Sequence, residues 1–250
     1  MTSDAQGGGG LELRLRLAAA TVPLDRVAFA EVEVAAVGGA ETVSARLNLI
    51  EGDLEVEVTG PDGRVARATW PWPADSAPRS VALAAGERLV AGVPLVSEGS
   101  EPLFPVTGRY EVVARFAVRP GETLTSNTAV LVRTAGEDAA LAADLRDRDV
   151  VQSLLGAGVI GAAEPALERL AESEDAGTAA AARLALARTD ALAEAAADPA
   201  VSRAVAALLP PGATGNDERR EAITSRAAPR DVAMLSGRPV EDRTDAAVED

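Results

Sequence analysis

The 250-residue sequence predicts two folded parts, an antiparallel β-sandwich over residues 11–134 followed by a small α-helical domain over residues 135–209. Apolar and polar side chains alternate in the first part, and no helix-period segment interrupts the alternation. Near Thr134 the composition changes to Ala, Leu, Glu and Arg, which favour helices. The Gly-rich residues 1–10 are predicted to be a flexible leader. Residues 210–250 carry much charge and few large apolar side chains, which predicts a mostly disordered tail.

The first predicted strand shows the alternation most clearly. Leucines at every second position from Leu11 to Leu17 alternate with Glu and Arg, so the leucines share one face of a pleated backbone. In the next strand the apolar positions change from odd-numbered to even-numbered between Phe29 and Val32, which predicts a β-bulge or a break near Ala30-Glu31. The strands after the first are predicted at about 27–36, 43–49, 54–59, 64–70, 79–84, 88–95, 109–118 and 127–133.

The segment Gly60-Pro61-Asp62-Gly63 predicts a hairpin, because Pro fixes φ and Asp-Gly tolerates positive φ. Short strands at intervals of about 8–12 residues predict an antiparallel sandwich of immunoglobulin-like type. Tyr110 lies near the start of the penultimate strand, where a buried tyrosine hydroxyl commonly bonds to the backbone a few residues upstream. We therefore expect a structural role for Tyr110.

The second part carries the start and stop signals of short helices joined as hairpins. The spacing of Leu141, Leu145, Leu154 and Leu155 predicts one helix over 137–155. Three further features are expected to mark helices: Pro165 in a first turn, Thr178 as the cap of 179–188, and Asp198-Pro199 at the start of 199–209.

The side-chain inventory excludes most enzyme chemistry. The chain has no His and no Cys, and all 24 of its basic residues are Arg. Imidazole bases, thiol nucleophiles and lysine Schiff bases are therefore absent, and the chain is predicted to be no enzyme and to have no catalytic residue, cofactor or metal site. The sequence Gly156–Gly161 matches a phosphate-loop pattern but follows a helix instead of a strand. Two acidic clusters lack the spacing of calcium loops and are expected to be solvated: Glu51, Asp53, Glu55 and Glu57, and Asp144, Asp147 and Asp149.

The net charge of −15 disfavours general binding to nucleic acids or anionic membranes, since both need a basic surface. No segment approaches the ~20 consecutive apolar residues of a spanning helix. Residues 1–10 have neither the basic nor the apolar region of a secretory signal, so a cytoplasmic location is expected.

Several turn and strand-start motifs carry a family resemblance. They are Leu54–Val58 before the Gly60–Gly63 turn, Leu103-Phe104-Pro105 before Gly108-Arg109-Tyr110, and Ser126-Asn127-Thr128 before the last strand. In this order they resemble immunoglobulin-like sandwich domains of bacterial proteins of unknown role. The helical part is loosely similar to tetratricopeptide units through the spacing within 166–171, although the Trp, Tyr and Pro of that pattern are missing. The resemblance implies an interaction or scaffold role.

Two segments are candidates for binding a partner. Trp70-Pro71-Trp72-Pro73 holds both tryptophans of the chain, and the prolines favour extended backbone that cannot lie within a sheet. The indoles of Trp70 and Trp72 are either displayed for binding or packed over the open end of the sandwich. In the tail, Val232, Met234 and Leu235 form an apolar anchor for a segment that folds on a partner.

The leading hypothesis is therefore a non-enzymatic interaction or scaffold protein with a protein partner. One alternative is a carbohydrate-binding module in which Trp70 and Trp72 stack on sugar rings. The other is a self-assembling structural component, which predicts a homo-oligomer.

Overall fold

The computed structural model describes residues 10–70, 77–188, 231–235 and 238–239. Within these ranges the protein is mostly β-structure in largely antiparallel sheets, and a few short helices follow the first thirteen strands. This order confirms the predicted change from strands to helices near Thr134. Trp72 and the predicted helix over 199–209 lie outside the described residues.

The strands of the described residues form two large sheets and two small ones. Their bounds are β1 (Leu11–Leu17), β2 (Thr21–Pro23), β3 (Ala28–Ala36), β4 (Glu41–Ser44), β5 (Leu54–Thr59), β6 (Val65–Ala68), β7 (Ser80–Leu83), β8 (Arg88–Leu95), β9 (Ser97–Glu98), β10 (Glu101–Pro102), β11 (Gly108–Arg119), β12 (Glu122–Thr125), β13 (Ala129–Thr134), β14 (Asp231–Leu235) and β15 (Arg238–Pro239). The first sheet has the order β1-β3-β8-β14-β15, and the second has the order β2-β13-β11-β5-β6 with β12 beside β11. Strands β4 and β7 pair separately, as do β9 and β10.

One hydrophobic core lies between the two large sheets. Val32 and Leu89 of the first sheet and Val112 and Phe116 of the second belong to the same buried cluster, and each is fully buried. Asn127 also connects the sheets: its Oδ1 accepts a hydrogen bond from the Leu15 N–H at 3.0 Å, and its Nδ2 donates to the Leu15 carbonyl at 3.0 Å. The sheets therefore share a core and a polar connection at one side.

Strand β3 is regular, so the β-bulge predicted near Ala30-Glu31 is wrong. It pairs without interruption with β1 on one side and with β8 on the other. The parity changes because the helices bury the second face of the chain at the start of this strand. Val32 and Val34 face the core between the sheets, whereas Val27 and Phe29 pack in a second cluster with the helices.

The hairpin predicted at Gly60–Gly63 is present between β5 and β6, with Gly63 at a φ of +80°. The strand predicted at 43–49 ends earlier, at Ser44. Beyond Ser44, side chains satisfy the backbone locally. The Ser44 hydroxyl accepts from the Arg46 N–H, and the Asn48 side-chain Oδ1 accepts from the N–H groups of Ile50 and Glu51. These bonds replace the strand ladder.

The predicted helix over 137–155 is divided into shorter helices, and the helix predicted over 179–188 begins three residues earlier and keeps its length. The bounds of the helices are α1 (Ala139–Asp144), α2 (Arg148–Gln152), a π-helical turn (Ser153–Ala157), α3 (Glu164–Ala171) and α4 (Ala176–Ala185).

The single helix predicted over 137–155 is wrong, because Asp147 starts a new helix in its middle. The Asp147 carboxylate accepts hydrogen bonds from the N–H groups of Asp149 and Val150, as an N-cap does. Pro165 lies in the first turn of α3, as predicted. The cap of α4 is Asp175, not Thr178: the Asp175 carboxylate accepts from the Thr178 N–H at 2.8 Å.

The Thr178 hydroxyl joins the helices to the sandwich. It donates to Asp175 Oδ2 at 2.6 Å and accepts from the Val27 N–H, just before β3, at 2.9 Å. Around this bond, Phe29 and Val96 of the sandwich pack in one cluster with the helical residues Leu154 and Leu167. The helices therefore use the outer side of the sandwich as a wall of their own core.

We expect Thr178→Val to lower the free energy of unfolding by about 1–2 kcal/mol, because the buried Val27 N–H loses its acceptor while the side-chain volume is kept. Urea denaturation measures this change. Thr123→Val, at an exposed position of β12, is the matched control and should leave the midpoint unchanged. Equal midpoints for the two variants would contradict a structural role of the bond.

Candidate partner-binding site

The first predicted binding residue, Trp70, lies at the junction of the sandwich and the helices. It is half-buried and packs against the cluster that holds Phe29 and Leu167. Because part of the indole contacts this cluster, only part is available for a ligand. Trp72 lies outside the described residues, so a stacking platform formed by both tryptophans stays a prediction.

The predicted tail anchor lies at the edge of the first sheet. Val232, Met234 and Leu235 belong to β14, which pairs in parallel with β8 through Asp231↔Arg88, Val232↔Leu89 and Ala233↔Val90. Strand β15 then turns back and pairs with the end of β14. A segment within the predicted disordered tail is thus a strand, and its backbone extends the sheet.

The hydrogen bonds of β3 indicate which groups of β8 face this edge. Phe29 of β3 accepts from the Ala18 N–H beyond the end of β1, whereas the Ala36 N–H donates to Glu87, just before β8. Alternation along the ladder directs the N–H and C=O groups of Arg88 and Val90 away from β3, toward β14. Pro94 faces the same side of β8 as Arg88 and Val90, but proline has no N–H group to donate. The usable edge therefore runs from about Arg88 to Gly92.

A second feature, a cleft between the sandwich and the helices, is lined by three arginines, Arg26, Arg133 and Arg146. The cleft has a volume of about 30 Å³. Its other lining residues are mainly apolar: Leu24, Val27, Ala28, Leu95, Val96, Pro102, Phe104 and Leu145. The cleft thus combines concentrated positive charge with apolar walls in a chain of net charge −15.

Arg133 is the buried member of this set, with 5% of its surface exposed. Its Nη2 donates to the carbonyl of Arg26 at 3.0 Å, and its guanidinium carbon lies 5.3 Å from the centroid of the Phe104 ring. Within the described residues, its Nε and Nη1 atoms have no hydrogen-bond partner. Asp25 is also buried; its Oδ2 accepts from the Asp138 N–H at 3.0 Å, and its Oδ1 has no described partner.

Burial lowers the pKa of Arg133 to about 10, while Coulombic interactions with Tyr110 and Asp25 act in the opposite direction. The guanidinium is still charged at neutral pH. A buried charge with unused donors is costly unless an anion or further hydrogen bonds compensate it. Arg133 is therefore the residue of the cleft that most favours an anion nearby.

The sequence analysis did not identify this cleft, although β13 carries a signal of it. Leu131 and Arg133 are both buried and lie two residues apart, so they face the same way from the strand. An arginine at an inward-facing position of an alternating strand indicates a buried charge. Arg26 and Arg146 come from loops, and no periodic pattern predicts that they meet there.

The predicted structural role of Tyr110 is confirmed. Its hydroxyl donates to the carbonyl of Val106 at 2.8 Å, and its ring packs edge-on against Phe104 at 5.1 Å between centroids. Among residues 10–70, 77–188, 231–235 and 238–239, no three acidic side chains are grouped to hold a metal ion. No helix in that part of the chain has the length and apolar character needed to cross a membrane.

Comparison with known proteins identifies no family for this chain. No family model and no curated protein matches it. Among solved structures, it is similar to the sporulation control protein Spo0M of Bacillus subtilis, with 15% identity over 51% of each chain and a TM-score of 0.32. It is also similar to a beta-glucosidase of Listeria innocua, with 17% identity over 50% of this chain and 16% of that one, and a TM-score of 0.30.

A third similar structure is the alkylpurine DNA glycosylase AlkC of Pseudomonas fluorescens, with 12% identity over 51% of this chain and 31% of that one, and a TM-score of 0.31. The chain thus spans between about one sixth and one half of the length of these three proteins. At such TM-scores, the similarities establish neither a shared fold nor a shared activity.

Proposed function

We propose that this chain is a non-enzymatic protein-interaction protein with an immunoglobulin-like sandwich, and that it binds a strand of its partner along the edge of β8. The observation that carries the proposal is the pairing of β14 with β8. Residues 231–233 are far from residues 88–90 in the sequence, yet they add a parallel strand there. An edge that accepts a sequence-distant strand offers the backbone groups that strand addition requires.

Three further observations support this proposal. The Tyr110 hydroxyl bonds to the backbone four residues upstream, as in the tyrosine corner of immunoglobulin-like domains. The 250-residue sequence lacks His, Cys and Lys, the side chains that most often act as bases and nucleophiles. Pro94 limits the usable edge, which favours one short partner strand over open-ended sheet growth.

The proposal predicts that β14 competes with an added strand. In full-length protein, Val232→Pro should release β14, because the Val232 N–H faces β8 between Arg88 and Val90 and proline has no N–H to donate there. A labelled synthetic peptide of residues 229–240 should then bind the variant roughly tenfold or more tightly than it binds the wild-type chain. Fluorescence anisotropy measures the two affinities, and Ala213→Pro, outside β14, is the matched control.

Hydrogen exchange identifies where the peptide binds. The N–H groups of Arg88 and Val90 should lose protection in the Val232→Pro variant and regain it when the peptide is added. Unchanged protection of these two groups would contradict strand exchange at β8. If the variant forms a defined dimer in light scattering and no longer binds the peptide, the edge pairs with a second copy, and the self-assembling alternative replaces the proposal.

A further inference from the structure

The strongest unassigned feature is the arginine-lined cleft between the sandwich and the helices. Most arginines in the described residues form ion pairs with Asp or Glu, as Arg46 does with Asp53 and Arg169 does with Asp144. Arg26, Arg133 and Arg146 form none with a described residue, although the chain has 39 acidic side chains. Three arginines without an ion-pair partner among the described residues thus line the same cleft.

The three arginine side chains differ in their exposure to solvent, from the buried end of the cleft to its opening. Arg133 is buried at its base, Arg26 is half-buried, and Arg146 is exposed after the end of α1. Phe104 lies against the Arg133 guanidinium, and this contact helps to hold its orientation. Positive charge therefore extends from solvent to the buried guanidinium, an arrangement that attracts an anion inward.

The size and walls of the cleft limit the ligand. A water molecule needs roughly 10–15 Å³ of such space, so about 30 Å³ accommodates a group of carboxylate size but not a sugar ring or a nucleotide. The planar guanidinium also matches the two oxygens of a carboxylate. Leu24, Leu95 and Val96 supply apolar contacts for a short aliphatic group beside the charge.

We propose that this cleft is a binding site for a carboxylate attached to a short aliphatic group, with Arg133 as its buried anchor and Arg26 and Arg146 at its opening. The carboxylate belongs either to a free short-chain acid or to the C-terminal residue of a peptide. The proposal does not depend on strand addition at β8, because the two sites share no residue named for either role.

The first experiment compares butyrate with butyramide, which has nearly the same shape but no charge. At constant ionic strength, butyrate should raise the melting temperature of the full-length protein, and butyramide should not. Butyrate should also shift the Nε–H resonance of Arg133 in a ¹⁵N NMR spectrum. A hexapeptide that ends in Ala-Val, with a free or an amidated C-terminus, tests the second source of the carboxylate.

Arg133→Met should reduce carboxylate affinity roughly tenfold or more, because it removes the charged donor at the base of the cleft. Arg26→Gln and Arg146→Gln change less buried residues, and each should weaken binding several-fold even if Arg133→Met fails to fold. Arg14→Gln is the control of equal charge change, since Arg14 is 60% exposed and pairs with Glu12 on β1. It should leave the affinity unchanged.

Each outcome supports the proposal or overturns it. Binding of butyrate alone identifies a free acid as the ligand, and tighter binding of the free-terminus peptide identifies a protein C-terminus. The proposal is overturned if neither carboxylate binds, if butyramide acts like butyrate, or if Arg26→Gln and Arg14→Gln have the same effect.

Discussion

Phe29→Ala is expected to lower the free energy of unfolding by about 3–4 kcal/mol, the usual cost of removing a buried aromatic side chain. Phe29 is 4% exposed and belongs to the cluster that joins β3 to the helices. Its loss leaves a cavity on the side of the sandwich against which the helical core packs. Chemical denaturation of the full-length variant measures the change.

Hydrogen exchange distinguishes this effect from a general weakening of the sandwich. The N–H groups of Leu154 and Leu167 should lose protection in Phe29→Ala, while those of Val112 and Phe116, in the core between the sheets, should keep most of theirs. Phe29→Leu retains most of the volume and should cost less than about 1.5 kcal/mol. If the helical groups keep full protection in Phe29→Ala, the helices fold independently of the sheet, contrary to the shared cluster.

The position of Phe29 also shows how far the sequence predicts the fold. Alternation identifies strands with one buried face, and it placed β1, β5, β8 and β11 close to their observed bounds. It fails at the start of β3, where the helices bury Phe29 on the face that alternation assigns to solvent. The change in alternation that suggested a bulge results from contact between β3 and the helices, which are distant in the sequence. A local sequence pattern does not predict such a contact.

The two candidate sites also differ in whether a local sequence pattern predicts them. The sequence marked Val232, Met234 and Leu235 as an unusual apolar group in a charged tail, and the structure places their strand on the edge of β8. It gave no reason to group Arg26, Arg133 and Arg146, which meet only when β13, the start of β3 and the end of α1 come together. Local composition thus identifies a segment that pairs with a sheet edge, whereas a cleft built from three separate elements is recognised only in the tertiary structure.

The cleft lies beside the junction of the sandwich and the helices, so the geometry of that junction matters for carboxylate binding. Gly136 lies between β13 and α1, in the connection that leads from one part to the other. A Cβ atom on Gly136 would lie 2.6 Å from the Asp25 Cγ atom and 2.8 Å from its Cβ atom. Asp25 is 6% exposed and accepts a hydrogen bond from the Asp138 N–H at the N-cap of α1, so it has little room to move.

Gly136→Ala is therefore expected to lower the free energy of unfolding by about 2–3 kcal/mol, because the added methyl group overpacks a buried carboxylate and displaces the start of α1. Gly39→Ala is the matched control, since a Cβ atom there meets nothing within 4 Å. Denaturation of both variants measures the difference. The displacement should also weaken carboxylate binding, because Asp25 precedes Arg26 and α1 leads to Arg146. If Gly136→Ala is as stable as Gly39→Ala, the connection between β13 and α1 accommodates the methyl group without loss of stability. The junction would then not determine the geometry of the cleft.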